Sequence, residues 1–211
     1  MFLIEKIDNA FQLISLGILL ALSLYKAVSL QNRTWALLAM FYGATSLGNL
    51  YWFLYMVLYG ETPWFSFIPD FCWISAYLFQ VMLLLYVKKE EWKWRDLKIL
   101  WLIPVFTVAM ALFYMRWGEY LTNTAYAVFM TQLLICSICG IRFSEKKTGR
   151  YYICLVSLSY CIVEYCLWTS SCIEWKGIGL LNPYYFFDVL LTLVSIFFYP
   201  AVGKAAEDEL H

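Results

Sequence analysis

The sequence is poor in charge. Only 14% of its 211 residues are Asp, Glu, Lys or Arg, against about 25% in an ordinary soluble domain. Acids and bases balance at 15 each, so no net field draws the chain to nucleic acid, and no nucleic-acid partner is expected. Histidine is nearly missing. His211 is the only one, which argues against His-rich zinc hydrolases, HExxH proteases and His-based general-base chemistry. No Gly-x-Ser-x-Gly elbow and no P-loop occurs, and no Gly-x-Gly-Asp accompanies Asp70 or Asp188. The last apolar run holds no lysine within it, so a retinal Schiff base there is not expected. No metal site and no cofactor is expected.

Apolar residues fill the space that charge leaves. They make up 63% of the chain, and aromatic rings alone make up 20%. A helix needs roughly 20 apolar residues to cross a hydrocarbon core about 30 Å thick. Seven runs qualify: Ala10–Leu30, Thr34–Tyr59, Phe65–Val87, Leu97–Met115, Asn123–Ile141, Tyr151–Cys172 and Pro183–Val202. The runs are continuous, unlike the alternating ten-residue segments of a barrel, so helix is expected. Gly60, Glu61, Thr62 and Pro63 mark a tight turn between the second and third. The fifth is interrupted by Thr124, Thr131, Gln132 and Ser137. Glu5 and Asp8 spoil a signal-peptide reading of the N-terminus, so the first run is taken as a span. The end after Val202, with Ala-Ala-Glu-Asp-Glu-Leu, reads as a solvated acidic tail without an output module. The expectation is an all-α polytopic membrane protein, a single domain of residues 1–211 in the cell membrane.

Lysine and arginine set the orientation. With the N-terminus outside and the C-terminus inside, the cytoplasmic face holds Lys26, Arg33, Lys88, Lys89, Lys93, Arg95 and Lys98. It also holds Arg142, Lys146, Lys147, Arg150 and Lys204, while Lys6, Arg116 and Lys176 remain outside. Twelve against three obeys the positive-inside rule and favours an odd number of spans. Trp64, Trp92, Trp94, Trp117 and Trp175 fall at span ends, where indole favours the interface.

The spans also carry a degenerate repetition. Asp70 and Asp188 are 118 positions apart, Asn49 and Glu164 are 115, and Gln12 and Gln132 are 120. The near-constant offset predicts a 3+1+3 internal repeat. Residues 1–87 and 123–202 form the two copies, with 97–115 as the linking helix, broken by Pro104. A single intervening span leaves both copies in the same orientation, an arrangement found in some transporters. Chance similarity between apolar helices is the alternative.

Polar groups inside a membrane are expensive and mark candidate sites. Asp70, Asp188, Glu164 and Asn49 stand out, with Gln12 and Gln132 joining from the first and fifth spans. Helical spacing puts Asp70, Trp73, Tyr77 and Gln80 on one face. Tyr184, Asp188, Thr192 and Ser195 share another, and Tyr160, Glu164 and Trp168 a third. Acids flanked by aromatic and amide groups suit an outward-facing ligand cavity, in which rings supply contact area and cation–π attraction. The expected site is therefore Asp70, Asp188, Glu164, Asn49, Tyr77, Trp73, Tyr184 and Trp168, with no catalytic residue assigned. The same groups could instead tie helices together, and Asp70 and Asp188 could cap helix N-termini. Cys136-x-x-Cys139 has the spacing of a redox or metal pair, but its apolar setting favours structural filling. Cys72 and Cys172 lie near outer span ends, and spacing alone does not decide whether they form a disulfide.

The stretch Leu47-Gly48-Asn49-Leu50-Tyr51-Trp52 through Pro69-Asp70-Phe71-Cys72-Trp73-Ile74-Ser75-Ala76-Tyr77-Leu78-Phe79 resembles the seven-helix membrane sensor regions that precede bacterial diguanylate cyclase or histidine kinase modules. It is also similar to small standalone polytopic membrane proteins of Gram-positive gut bacteria. The clearest match covers about 35 residues, with Asp188 as a fainter echo; that family often has an acid where this chain has Asn49. The resemblance implies a membrane scaffold and no activity. Two functions follow as expectations. The first is a non-enzymatic ligand-binding protein, a sensor-like subunit or small transporter. Its partners would be the lipid bilayer, a small ligand and, possible beside these, a separate signalling or transport subunit. The second is an intramembrane lipid-modifying enzyme that uses carboxylates.

Overall fold

A computed structural model describes residues 2–63, 67–88, 98–173 and 182–208. Among them the chain is entirely helical: α1 (Phe2–Leu30), α2 (Arg33–Tyr59), α3 (Phe67–Tyr86), α4 (Leu102–Tyr114), α5 (Tyr120–Phe143), α6 (Gly149–Ser171), α7 (Pro183–Ile196) and α8 (Phe198–Asp208). A short 3-10 turn, Lys98–Trp101, leads into α4. Trp64, Trp92, Trp94, Trp175, Lys89, Lys93, Arg95, Lys176 and His211 lie outside the described residues.

Five segments are long and apolar enough to cross a membrane: Leu3–Leu30, Phe67–Tyr86, Tyr120–Phe143, Gly149–Ser171 and Pro183–Asp208. The chain is thus a helical protein with the makeup of a multi-pass membrane protein. Of the seven expected spans, the second and fourth fall outside this set. The second is the 27-residue α2, whose Thr45, Ser46 and Asn49 dilute its hydropathy. The fourth, α4, is only 13 residues long. The outer surface fits lipid. α1 exposes Leu3, Ile7, Ile14, Ile18, Leu22 and Tyr25 in steps of three, four or seven, one continuous apolar stripe. In water such a stripe would demand a partner; in a bilayer, lipid covers it.

The helices close into a ring. α1 packs on α2, α2 on α3, α3 on α5, α5 on α6, α6 on α7, and α7 returns to α1. α4 lies against α5, where the hydroxyls of Thr107 and Thr131 meet at 2.6 Å. Pro104 does not break α4. It occupies the first turn, where a missing N–H costs no hydrogen bond, and the irregularity precedes it as the 3-10 turn.

Local chemistry sets the ends. Asn32 caps α2 by accepting from the N–H groups of Thr34 and Trp35, and Thr148 caps α6 through Tyr151. Gly60, in the left-handed region at φ 75°, closes α2 at the expected turn. The fifth helix runs unbroken for 24 residues, because Thr124 and Thr131 return their hydroxyls to the carbonyls of Tyr120 and Ala127.

As far as Asp208 the expected solvated tail is a packed helix, with Glu207 and Asp208 at its exposed end. Pro200 cannot donate to the turn before it, and the last helix breaks at Phe197 into α7 and α8. The bend lays α8 between α2 and α6, where Phe198, Ala201, Val202, Ala205 and Ala206 are buried. Gly149 makes the contact feasible, since a Cβ there would overlap the backbone of Ala205. The Gly149 N–H, a free donor of the first turn of α6, donates to Asp208 Oδ2 at 2.6 Å.

Candidate functional site

The eight residues expected from the sequence meet at one cavity of about 240 Å³. α2 contributes Asn49, α3 contributes Asp70, Trp73 and Tyr77, α6 contributes Glu164 and Trp168, and α7 contributes Tyr184 and Asp188. The volume lies just under the roughly 300–1,000 Å³ of common ligand pockets.

Glu164 forms the floor. It is 3% exposed, and its Oε1 accepts from the Tyr77 hydroxyl and from Trp168 Nε1 at 2.9 Å. Its other oxygen, Oε2, is buried without a hydrogen-bond partner. Tyr77 and Trp168 therefore hold the carboxyl by one oxygen and leave the second uncommitted. The two rings are anchored in turn. Trp168 stacks on Tyr126 at 4.5 Å, and Tyr77 meets Tyr126 and Tyr160 edge-on.

A second polar chain crosses from α1 to α3. Gln12 Oε1 accepts from Asn49 Nδ2 at 2.9 Å, and Asn49 Oδ1 accepts from Trp73 Nε1 at 3.0 Å. This chain fixes the Asn49 amide and spends the indole donor. Gly48 gives the indole room, because a Cβ there would sit 2.8 Å from Trp73 Nε1. Gln12 Nε2 is left buried with no hydrogen-bond partner. Asp188, 8% exposed, is not a cap: Asn182 caps α7 through the Tyr184 N–H at 2.9 Å. Asp8 lies beside Asp188 and Gln12, within electrostatic reach, although neither Asp8 oxygen makes a hydrogen bond.

Asp70 is half-buried at the rim, in the first turn of α3. Together with Trp52, Trp168 and Ser171 it is shared with a wider hollow of about 880 Å³ between the α4–α5 turn and the end of α6. The cavity thus has a vestibule at the end of the bundle where α2 finishes and α3 begins.

One expectation is revised. Gln132 lies on the exposed face of α5, opposite the face that buries Asn123, Tyr126, Met130 and Leu133, and does not join the site. Cys72 and Cys172 both carry free thiols. Among the described residues no cluster could hold a metal ion, and Cys136 and Cys139 are buried as free thiols. Gln80 continues the stripe of Asp70, Trp73 and Tyr77 but is buried beyond the cavity lining.

Beyond Gln12, the sequence reading missed what α1 brings to the site. Asn9 and Gln12 line the cavity, Asp8 stands beside Asp188, and Glu5 accepts from Trp52 Nε1 at 3.4 Å. The signal was present, since Glu5, Asp8 and Gln12 are spaced by three and four and share a face once the helix begins at Phe2 instead of Ala10. No protein-family model, curated protein or solved structure matches the chain.

Proposed function

We propose that the protein is a non-enzymatic membrane receptor-like component, a sensor-like subunit or small transporter, that binds a small ligand in the outward-facing cavity. The carrying observation is the convergence of eight polar and aromatic residues from four helices on one hollow that has a vestibule at its rim. Glu164 lines this hollow, and its buried Oε2 has no protein partner.

Seven spans with the N-terminus outside complete the reading. The antiparallel sequence of helices puts Lys26, Arg33, Lys88, Lys98, Arg142, Arg150 and Lys204 near one end of the bundle. Lys6 and Arg116 accompany the cavity end. The ring order supports a 3+1+3 repeat. Turning α1–α2–α3 onto α5–α6–α7 exchanges the α3–α5 contact with the α7–α1 contact and leaves α4 outside. It pairs Asp70 with Asp188 and Asn49 with Glu164, whereas Gln12 and Gln132 do not correspond in burial. The scaffold would be that of the sensor regions the sequence resembles, working with a separate signalling or transport subunit in the cell membrane.

Accessibility labelling in intact cells tests this. With Cys172→Ser as background, an impermeant thiol reagent should tag Ser171→Cys at the rim and Thr45→Cys in the cavity, but not Lys93→Cys. Labelling at Lys93→Cys would invert the topology. A silent Thr45→Cys beside a reactive Ser171→Cys would close the cavity to ligands.

One observation favours an intramembrane lipid-modifying enzyme instead, namely the proximity of the Asp8 and Asp188 carboxyls. Lipid extracts from membranes with and without the protein would then differ by a product that Asp188→Asn abolishes.

A further inference from the structure

Resting on the ligand-binding reading above, we infer that the cavity takes a small protonated amine. Four observations on the lining converge. First, the ionisable groups are of one sign among carboxyls: Glu164, Asp188 and Asp70 line the space, with Asp8 beside Asp188. Among the described residues that line the cavity there is no Lys, Arg or His beside Glu164 and Asp188. An anion would meet no cation among the described lining residues, and the carboxylates of Glu164 and Asp188 would repel it.

Second, the walls are rings. Trp52, Trp73, Tyr77, Tyr160, Trp168 and Tyr184 surround the acids. Their faces carry negative charge density, and a desolvated cation over such a face gains about 2 kcal/mol. Third, the ring donors on two sides are already spent. Tyr77 and Trp168 donate to Glu164, and Trp73 donates to Asn49. They present π faces to a ligand and no free N–H or O–H for an anion to accept. Fourth, Glu164 Oε2 is a buried acceptor without a donor. A quaternary ammonium would bring charge but no hydrogen. A primary or secondary ammonium brings both, and so satisfies this unpaired acceptor once the carboxyl turns it to the cavity.

The cavity size limits that molecule to a small one. Selectivity then comes from two different features. Charge and rings admit cations in general, and Glu164 Oε2 separates those with an N–H from those without.

Charged thiol reagents test this without knowledge of the natural ligand. The full chain, purified in lipid nanodiscs with Cys172→Ser, carries Thr45→Cys in the cavity or Ser171→Cys at the rim. Each is treated with aminoethyl, trimethylammonioethyl or sulfonatoethyl methanethiosulfonate, and the tagged peptide is followed by mass. Relative to the rim, the cavity cysteine should react more than about tenfold faster with the aminoethyl reagent than with the sulfonate, and the trimethylammonium reagent should fall between. Butylammonium should slow the cavity reaction saturably, and butyrate should not.

Glu164→Gln should erase the advantage of the aminoethyl over the trimethylammonium reagent. Should that variant fold poorly, Asp188→Asn and butylammonium protection of the unmutated site give the same reading. Equal rates for the ammonium and sulfonate reagents would overturn the inference and leave the ligand-binding cavity intact. A cavity cysteine that no reagent reaches, beside a reactive rim, would overturn both.

Discussion

Where α6 meets α8, small residues let backbone touch backbone; where α3 faces α6, large rings and buried acids hold the same bundle open. At the first end Gly149 admits the Ala205 backbone, Asp208 accepts from the Gly149 N–H, and Trp35 packs on Tyr199 at 4.9 Å. At the second, Tyr77, Trp168 and Tyr126 lock one another and support Glu164 with one oxygen free. Burial is deep at both ends. The difference is in what the polar groups are given. At the closed end the Gly149 N–H has its acceptor but the Trp35 indole N–H is unpaired in packed surroundings, whereas the unpaired atoms of Gln12 and Glu164 at the open end belong to residues that border a cavity. In hydrocarbon, unpaired groups are costly, and those on residues that border a cavity are the ones a ligand can complete.

Breaking the closed end should have the largest effect. Gly149→Val forces a branched side chain into the α8 backbone, and the destabilisation should reach the upper part of the roughly 1–3 kcal/mol range of overpacking, or prevent folding. Thermal unfolding in detergent, with the yield of monodisperse protein, measures it. A variant as stable as the parent would mean that α8 does not dock.

Next comes the comparison of two substitutions at the open end. Glu164→Leu strands the Tyr77 hydroxyl and the Trp168 N–H, costing about 1–3 kcal/mol for an unpaired buried donor. Glu164→Gln keeps an acceptor for both and should cost less than half as much. Equal losses in the two melting curves would show that Glu164 contributes nothing through hydrogen bonding.

Gly48→Ala is smaller and sharper. Its Cβ displaces the Trp73 indole from Asn49, removing a bond worth about 1 kcal/mol. The Thr45→Cys labelling rate should change with it, since the same ring walls the cavity; an unchanged rate would separate Trp73 from the site.

Tyr42→Phe should do least. The Tyr42 hydroxyl donates to the Ser195 carbonyl at 2.8 Å, just before the α7–α8 break. Its loss should lower stability by no more than about 1 kcal/mol and leave cavity labelling untouched. An altered labelling pattern would couple the two ends, making the bend a hinge and not a joint.

Several features were legible in the sequence for local reasons. Apolar length located the helices to within a few residues except at the starts of α1 and α4 and at the end of the last run, and Gly60 marked its turn. Spacing by three and four grouped Trp73 with Tyr77, Glu164 with Trp168, and Tyr184 with Asp188. The cost of polar groups in lipid singled out Asn49 and Glu164 before any contact was known. All of this depends on the helix period and on transfer energy, which belong to the sequence itself. The depth of α1 was not legible, because Glu5 and Asp8 read as flanking charge until a helix partner turned them inward toward Trp52 and Asp188. Nor was the fate of the last eleven residues of the final helix. Ala205, Ala206 and Asp208 look like a tail in one dimension and become a packed, hydrogen-bonded end only when α8 bends at Phe197 toward a glycine 56 positions earlier in the chain than Ala205. Most of all, the sequence could list the polar residues of the spans but not say which atoms would find partners. That Glu164 keeps one oxygen free while Gln132 turns to the outside follows from helix rotation and from which neighbours arrive, and those are decided by packing alone.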